Sequence, residues 1–418
     1  MRSMEIDRRR FLALLAAYGA GPWAAGPALA GEPAWTDGSA WTDGSALADG
    51  SALADGSALA DGSAALEPST SSMDADSSGA GPLYLAARKN AGRYEAALID
   101  EFGRDRLVIP MPYRGHSFAI DPARGRAVVF GRQPGFFAVA FDLAGKRPPQ
   151  ALEAAPGRHF FGHGVFSADG RLMVATENDY EAGRGVLGVY DASEGGACRR
   201  VGEFPSAGIG PHEVVLMPDG RTLCVANGGI LTHPDYGKLE LNPDTMRPSL
   251  AYLDLHTGDL LEQVFLEPRL RKLSIRHLAV DASGAVWFGC QYMGPAQDRP
   301  PLVGRHRRGA QPGLFGAPDE TLRGMKNYVG SLAANAAGTI IAGSSPVGGK
   351  LVLWDAASGD CLGSAGIFDG CGVAPAAGKG FIVSSGQGAL ARLLPGAETQ
   401  AIQMAVAGLA WDNHLRRV

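Results

Sequence analysis

The sequence predicts an all-β protein, a seven-bladed β-propeller made of four-stranded antiparallel blades. The first observation is a hairpin pattern that occurs twice, with short apolar runs on both sides of Asp169-Gly170 and again of Asp219-Gly220. The second is that similar runs recur every few tens of residues, which is the period of a propeller blade. The third is composition, because 59 glycines in 418 residues favour short strands and turns over helices.

Seven segments have the shape of the first strand of a blade. They begin at His116, His163, His212, His277, Ser331, Cys371 and Gly408. Residues 83–112 supply three further runs that lack a first strand, and residues 408–418 look like a first strand with nothing after it. Because closing the ring removes exposed sheet edges, we expect the C-terminal strand to pair with these N-terminal strands.

Residues 1–30 resemble a signal peptide for export. Three arginines at positions 8–10 are followed by Phe11-Leu12 and then by an uncharged run that ends in Ala-Leu-Ala at position 30. This arrangement resembles the twin-arginine signal. A membrane anchor is the alternative, but glycines and prolines interrupt the apolar run. We expect cleavage after Ala30, a periplasmic location and no stable membrane insertion afterwards.

Residues 31–82 have the composition of a disordered linker. Within residues 35–64 the chain repeats six letters five times, WTDGSA twice and then LADGSA three times. These repeats are rich in Gly, Ser, Ala and Asp and have little apolar surface to bury. A calcium-binding β-roll is the alternative, but its repeat has nine residues. The folded propeller domain is therefore predicted to span residues 83–418.

Charge and cysteine content exclude several classes of protein. A formal net charge of −5 does not suggest binding to nucleic acid. The five cysteines form no CxxC pair, which argues against a structural zinc site. The two that lie closest in sequence are Cys361 and Cys371, and both a disulfide between them and two free thiols are open.

Propeller topology predicts where the histidines lie. The first strand of each blade lines the central channel and the second strand returns, so residues that open first strands share a face with residues that end second strands. His116, His163, His212 and His277 open four consecutive first strands, and Glu177 ends a second strand.

Imidazoles and carboxylates that converge on one axis suit a first-row transition metal. We therefore predict a metal site for iron or copper with His116, His163, His212, His277 and Glu177 as ligands. The alternative is that the histidines fill the channel and bond to backbone groups. The longest insertion, residues 228–248, leaves the same face and is predicted to cover the channel mouth.

Three long segments resemble a bacterial family known as domain of unknown function 1513. They begin at Gly162 (GHGVFSADGRLMVATENDYEAGRGVLGVYDA), Gly208 (GIGPHEVVLMPDGRTLCVANGG) and Arg276 (RHLAVDASGAVWFGCQYMGP). The resemblance covers residues 82–418 and implies a periplasmic propeller of the YVTN and quinoprotein-like kind. It also implies a role in iron acquisition beside imelysin-like and EfeO-like proteins or a di-haem oxidoreductase, and it transfers no catalytic residue.

Two classes of function follow. The first is a non-enzymatic accessory component of iron acquisition that binds metal or a partner protein at the histidine-bearing face. The second is an enzyme of the lactonase or quinoprotein-like type that acts at the same channel mouth. The sequence contains no GxSxG, Walker or HExxH motif that would favour another enzyme class.

Overall fold

The computed structural model describes residues 81–194, 197–237, 239–396 and 399–418. These residues form seven four-stranded antiparallel sheets in a ring, which confirms the predicted seven-bladed β-propeller. The predicted signal peptide, residues 1–30, and the predicted linker as far as residue 80 lie outside the described residues.

The blades are numbered here along the chain, and each of blades 2 to 7 consists of four consecutive strands. Blade 1 contains β1 (Leu83–Asn90), β2 (Arg93–Asp100), β3 (Asp105–Met111) and the last strand of the chain, β28 (Leu409–Arg417). The other strands are β4 (Gly115–Asp121), β5 (Arg126–Gly131), β6 (Phe137–Asp142), β7 (Gln150–Glu153), β8 (Arg158–Phe166), β9 (Leu172–Asp179), β10 (Arg184–Asp191), β11 (Arg199–Pro205), β12 (Pro211–Leu216), β13 (Thr222–Asn227), β14 (Ser249–Asp254), β15 (Leu260–Phe265), β16 (Leu273–Val280), β17 (Val286–Tyr292), β18 (Val303–His306), β19 (Gly313–Phe315), β20 (Ser331–Ala334), β21 (Ile340–Ser345), β22 (Lys350–Asp355), β23 (Cys361–Gly366), β24 (Gly370–Pro375), β25 (Phe381–Ser385), β26 (Leu390–Leu393) and β27 (Gln400–Gln403).

Helical structure is confined to short connections. One α-helix, α1 (Asp319–Gly324), and three single 3₁₀ turns (Pro122–Arg124, Pro234–Tyr236 and Pro268–Leu270) join strands in the described part of the chain. None of the described helices has the length and apolar character needed to cross a bilayer.

The ring closes through the C-terminal strand, as predicted. β28 runs antiparallel to β1, from Leu409 opposite Asn90 to Arg417 opposite Tyr84. Trp411 and Leu415 of β28 are almost completely buried in a core cluster shared by blades 7 and 1. The first blade is therefore held together by both ends of the folded chain.

The predicted Asp-Gly turns also form. Gly170 and Gly220 have φ angles of 65° and 68°, a backbone conformation that glycine adopts without steric cost. In the first turn the Asp169 carboxylate accepts a hydrogen bond from the Arg171 amide at 3.0 Å, and Asp219 does the same for Arg221 at 2.9 Å. These turns connect the first and second strands of blades 3 and 4.

β-Bulges distinguish the strands that line the channel. Within the described strands, six of the seven innermost ones change register, and only β20 is regular. A bulge adds residues to one strand and re-aims its side chains. The expectation that His163 and His277 open their strands is wrong for this reason, because β8 begins at Arg158 and β16 at Leu273, ahead of the bulges.

All five cysteines are free thiols. Cys361 lies on β23, the outermost strand of blade 6, whereas Cys371 lies on β24, the innermost strand of blade 7. The Cys371 thiol donates a hydrogen bond to the Trp411 carbonyl at 3.4 Å. The closeness of the two cysteines in sequence thus does not bring them together, because consecutive outer and inner strands lie at opposite edges of neighbouring blades.

Asp369 is a buried acid in the turn between β23 and β24. Its residue surface is 4% exposed, and both carboxylate oxygens are buried. Burial raises the pKa of Asp369 to about 6, and the hydrogen-bonding side chain of Gln387 and the charge of Arg114 offset this only partly. Because the folded state binds the proton more tightly than the unfolded state does, ionisation of Asp369 destabilises the fold as the pH rises through 6.

We expect Asp369→Asn to raise the free energy of unfolding at pH 7.5 by about 1–2 kcal/mol. Asn tolerates the positive φ of 48° at this position, so the backbone is preserved. The gain should shrink as the pH falls towards 4, where the wild-type carboxyl is protonated in both states. Urea unfolding of both proteins at pH 4.5 and 7.5 measures the difference, with the exposed Asp360→Asn as control. An equal gain in the free energy of unfolding at both pH values would contradict this prediction.

Candidate metal centre

Five imidazoles meet inside the channel at one end of the inner strands. They belong to His116 on β4, His163 on β8, His212 on β12, His277 on β16 and His414 on β28. Each residue is at most 7% exposed, and the distances between neighbouring ring centroids run from 4.5 to 6.3 Å. The structure therefore brings together the four histidines predicted from propeller topology and adds a fifth.

His414 was not predicted, although ring closure contains a signal for it. The strand that completes blade 1 must be an innermost strand, and His414 is its only histidine. Residues 408–418 align with the other first strands at Gly408, but a bulge between Trp411 and Leu415 places the imidazole six residues after Gly408. The ring of His414 lies 4.5 Å from that of His116 and 4.6 Å from that of His163.

Glu177 does not join this cluster. Its carboxylate is fully buried within blade 3, where it accepts hydrogen bonds from the Tyr190 hydroxyl at 2.7 Å and from Arg200 at 2.8 Å. The preceding side chain, Thr176, is the one that faces the inner strands, and its hydroxyl donates to the His163 carbonyl at 3.2 Å. Side chains alternate along a strand, so Glu177 points the other way.

Two other carboxylates lie against the imidazoles. Asp412 Oδ1 is 3.3 Å from His116 Nδ1, and the two carboxylate oxygens of Glu213 are 3.7 Å from His163 Nδ1 and 3.6 Å from His277 Nδ1. Both acids face the Nδ1 side of a ring, which leaves Nε2 for another partner. Metal-binding histidines commonly have a carboxylate on the nitrogen that does not bind the metal.

Arginines hold both carboxylates ionised. Asp412 accepts hydrogen bonds from Arg114 and from Arg132, the latter at 2.8 Å, and Glu213 accepts one from Arg416. Burial alone would raise the pKa of Asp412 and of Glu213. The nearby guanidinium groups and imidazoles outweigh burial and hold both pKa values well below the ordinary range.

Most of the imidazole nitrogens that face the cluster have no partner. No described residue hydrogen-bonds to Nε2 of His163, to Nδ1 of His212, to Nε2 of His277 or to either ring nitrogen of His414. Nδ1 of His277 faces the Glu213 carboxylate. Burial lowers the pKa of His277 to about 4 and lowers those of His163, His212 and His414 well below 6.5. These four rings are therefore neutral at pH 7, the state in which imidazole coordinates a metal.

The nitrogens form two groups with the spacing of a metal site. His116, His163 and His212 each offer an atom within 4.8 Å of the others, and so do His163, His277 and His414. A tetrahedral zinc-like ion about 2.1 Å from each nitrogen separates the ligand atoms by roughly 3.4 Å, so small ring movements complete either group. His163 is common to both groups and is the central candidate ligand.

A cavity of about 320 Å³ opens onto the cluster. Its floor includes His116, His212 and His277, and one wall comes from the insertion of residues 228–248, through Ile230, Thr232 and Glu240. Two hydrogen bonds to Thr232 fasten this insertion, from Gln133 of blade 2 at 3.0 Å and from Asn178 of blade 3 at 3.1 Å. The insertion thus lines the cavity, and the prediction that it covers the channel mouth stays a prediction.

Solved structures are similar to this chain at low sequence identity. Kuenenia stuttgartiensis hydrazine synthase is 12% identical, with a TM-score of 0.52 over 75% of this chain and 90% of that chain. A streptogramin B lyase is also 12% identical, with a TM-score of 0.48 over 70% and 84% of the two chains. The propeller domain of Myceliophteria thermophila Cps50 (Swd1) has 12% identity and a TM-score of 0.48 over 73% and 94%.

Sequence comparison places the chain in a family. No curated protein sequence matches it. The model of the family described as a protein of unknown function, DUF1513, matches residues 109–418, from the end of β3 to the C-terminus. That match spans well over half of the chain and contains all five histidines of the cluster, so the chain belongs to the DUF1513 family.

Proposed function

We propose that this chain is an exported periplasmic β-propeller that binds a first-row transition metal, iron or copper, in its histidine cluster. One observation carries the proposal: the buried, neutral imidazoles of His163, His212, His277 and His414, from four blades, have ring nitrogens without hydrogen-bond partners among the described residues, and they lie within reach of a common ion. A buried polar atom without a partner costs about 1–3 kcal/mol. A bound metal is the partner that satisfies several imidazoles at once.

Another histidine of the same protein shows what a purely structural imidazole looks like. His306 is 1% exposed, and both of its ring nitrogens have partners, the Tyr252 hydroxyl at 2.7 Å and the Ala310 carbonyl at 3.0 Å. The channel histidines differ from it in this respect. The contrast favours ligands over channel-filling side chains.

The donor set selects the class of metal. Imidazole nitrogen suits zinc, copper, iron and nickel, whereas calcium and magnesium prefer oxygen. The two carboxylates beside the cluster are each paired with arginine, so they support the imidazoles and offer little negative charge to a hard cation. A lactonase-type site with acidic ligands fits this arrangement less well than a histidine-ligated transition metal.

The wider role that we propose is accessory to iron acquisition. It rests on the export signal expected in residues 1–30 and on the role in iron acquisition implied by the family resemblance. In this role the propeller holds or passes on metal beside an imelysin-like or EfeO-like protein or a di-haem oxidoreductase. The cavity above the cluster gives such a metal a route to the histidine-bearing face.

The test is the metal content of the full chain and of His163→Ala/His212→Ala. Both proteins are loaded with Cu(II), or with Fe(II) under anaerobic conditions, desalted and analysed for metal. The double variant removes the shared ligand and one further candidate ligand. Loss of a direct ligand lowers metal affinity by more than the roughly 10–100-fold that supporting residues contribute. We expect stoichiometric metal in the wild type and almost none in the variant.

His256→Ala is the matched control, because it removes an exposed histidine outside the cluster and should leave metal content unchanged. Circular dichroism checks that each protein is folded. Equal metal in the wild type and the double variant, or none in the wild type, would reject the metal site. Docking of a partner protein on the same face would then be the leading function.

A further inference from the structure

The cavity above the histidine cluster is lined by an excess of positive charge. Arg132, Arg276 and Lys326 contribute three cationic side chains and Glu240 contributes one carboxylate, which leaves a formal charge of +2. In a concave site with partly apolar walls such a charge attracts anions more strongly than on open surface. The whole chain carries a net charge of −5, so the positive cavity does not reflect overall composition.

Arg276 is the most informative of these cations. It precedes His277 at the bulge of β16, and its guanidinium donates a hydrogen bond to the Ser274 hydroxyl at 2.9 Å. No carboxylate of the described residues lies within ion-pair distance of it. Burial lowers the pKa of Arg276, and the nearby Tyr328 and Glu240 side chains oppose this. A guanidinium with donors left over that lines a cavity can donate hydrogen bonds to a carboxylate.

Two other cationic side chains add positive charge to the lining of the cavity. Arg132 lines the cavity and pairs with Asp412, the carboxylate that Arg114 also contacts. Lys326 also lines the cavity and lies in the connection between α1 and β20. Positive groups therefore face the cavity from blades 2 and 5 and from this connection.

The remaining walls indicate an organic ligand. Phe161, Ile230, Met293 and Val347 present apolar surface beside the cations. The volume of about 320 Å³ lies at the lower end of the roughly 300–1,000 Å³ of small-molecule sites. Inorganic phosphate would leave this apolar surface uncovered, whereas a short carbon skeleton with a negative group at each end fits both features.

We propose that the cavity binds a small organic dicarboxylate, with one carboxylate on Arg276 and the other on Lys326. This site goes beyond metal binding and does not depend on it, because neither cation belongs to the histidine cluster. When the cluster holds a metal, His212 and His277 are shared between the floor of the cavity and the metal groups, so a bound dicarboxylate lies beside the ion.

Isothermal titration of the full chain with succinate tests the proposal, in the presence of EDTA and again after metal loading. Succinamide has the same skeleton without the charges, and inorganic phosphate supplies an oxyanion without the skeleton. We expect succinate to bind the metal-free protein, Arg276→Gln to weaken it by at least about tenfold, and Lys326→Gln to weaken it as well. Succinamide and phosphate should bind at least about tenfold more weakly than succinate.

Arg269→Gln is the matched control, since it removes an exposed arginine outside the cavity and should bind succinate as the wild type does. Arg276→Gln should also load metal normally, which separates this site from the histidine cluster. Lack of succinate binding in both metal states would overturn the proposal. So would succinate binding by Arg276→Gln and Lys326→Gln that is as tight as that of the wild type. Tighter binding of phosphate than of succinate would overturn the organic dicarboxylate as the ligand.

Discussion

Deletion of residues 409–418 is expected to abolish the cooperative unfolding transition of the propeller. The truncation removes β28 and leaves the edge of β1 unpaired. It also removes Trp411 and Leu415 from the core shared by blades 7 and 1, where such truncations cost about 3–5 and 2–5 kcal/mol respectively. That sum is comparable with the whole stability of a typical domain, roughly 5–15 kcal/mol. Calorimetry of the truncated chain measures the result.

The ion pairs of β28 add to the loss. Asp412 is the carboxylate that pairs with Arg114 and Arg132, and Arg416 is the partner of Glu213. Without β28 these groups stay partly buried without their partners, which is more costly than having no charges there. Removal of a terminal strand from an open sheet would leave the rest of the core intact, but here it interrupts the ring.

The matched control is deletion of residues 35–64, which removes three times as many residues from the predicted linker. We expect that protein to melt at the wild-type temperature, because the repeats have little apolar surface to bury. A milder change, Trp411→Ala/Leu415→Ala, should lower the melting temperature without shortening the chain. A truncated protein that melts like the wild type would contradict the role of β28 in closing the ring.

The regular features of the fold could be predicted from the sequence because they depend on local chemistry. Asp169-Gly170 and Asp219-Gly220 specify turns by themselves, and apolar runs on both sides of a turn specify the hairpin. The convergence of His116, His163, His212 and His277 follows from these hairpins once they are arranged in a ring. Each of these inferences needs only the order of short segments along the chain.

The site residues that the sequence does not predict correctly are those whose orientation depends on packing between strands as well as on the local sequence pattern. β9 is buried along nearly its entire length, so its sequence shows no alternation that reveals which of Thr176 and Glu177 faces the channel. His414 lies behind a bulge of β28, and the size of a bulge depends on packing against β1 and not on the strand's own sequence. Asp412 and Arg276 were missed for the same reason, because both lie within or beside such bulges.

Replacement of His163 and His212 by leucine is expected to change stability in opposite directions in the metal-free and metal-loaded protein. Without metal the wild type buries imidazole nitrogens that have no described partner, and each costs about 1–3 kcal/mol. Leucine has a similar volume and no polar atoms, so the metal-free His163→Leu/His212→Leu protein should melt at a higher temperature than the metal-free wild type. Differential scanning calorimetry in EDTA measures this first half.

In the metal-loaded proteins the order of the two melting temperatures should reverse. A ligand that binds only the folded state stabilises it by about 2.7 kcal/mol at a concentration one hundred times its Kd. The wild type gains this stabilisation and the leucine variant does not, because His163 belongs to both candidate ligand groups. His306→Leu provides the contrast: it removes an imidazole whose two nitrogens have partners, so it should destabilise the protein in both conditions and leave the metal-dependent shift intact. If the channel histidines were structural, the leucine variant would instead be the less stable protein in EDTA and metal would shift neither melting curve, since the imidazoles would then already have the partners that they need.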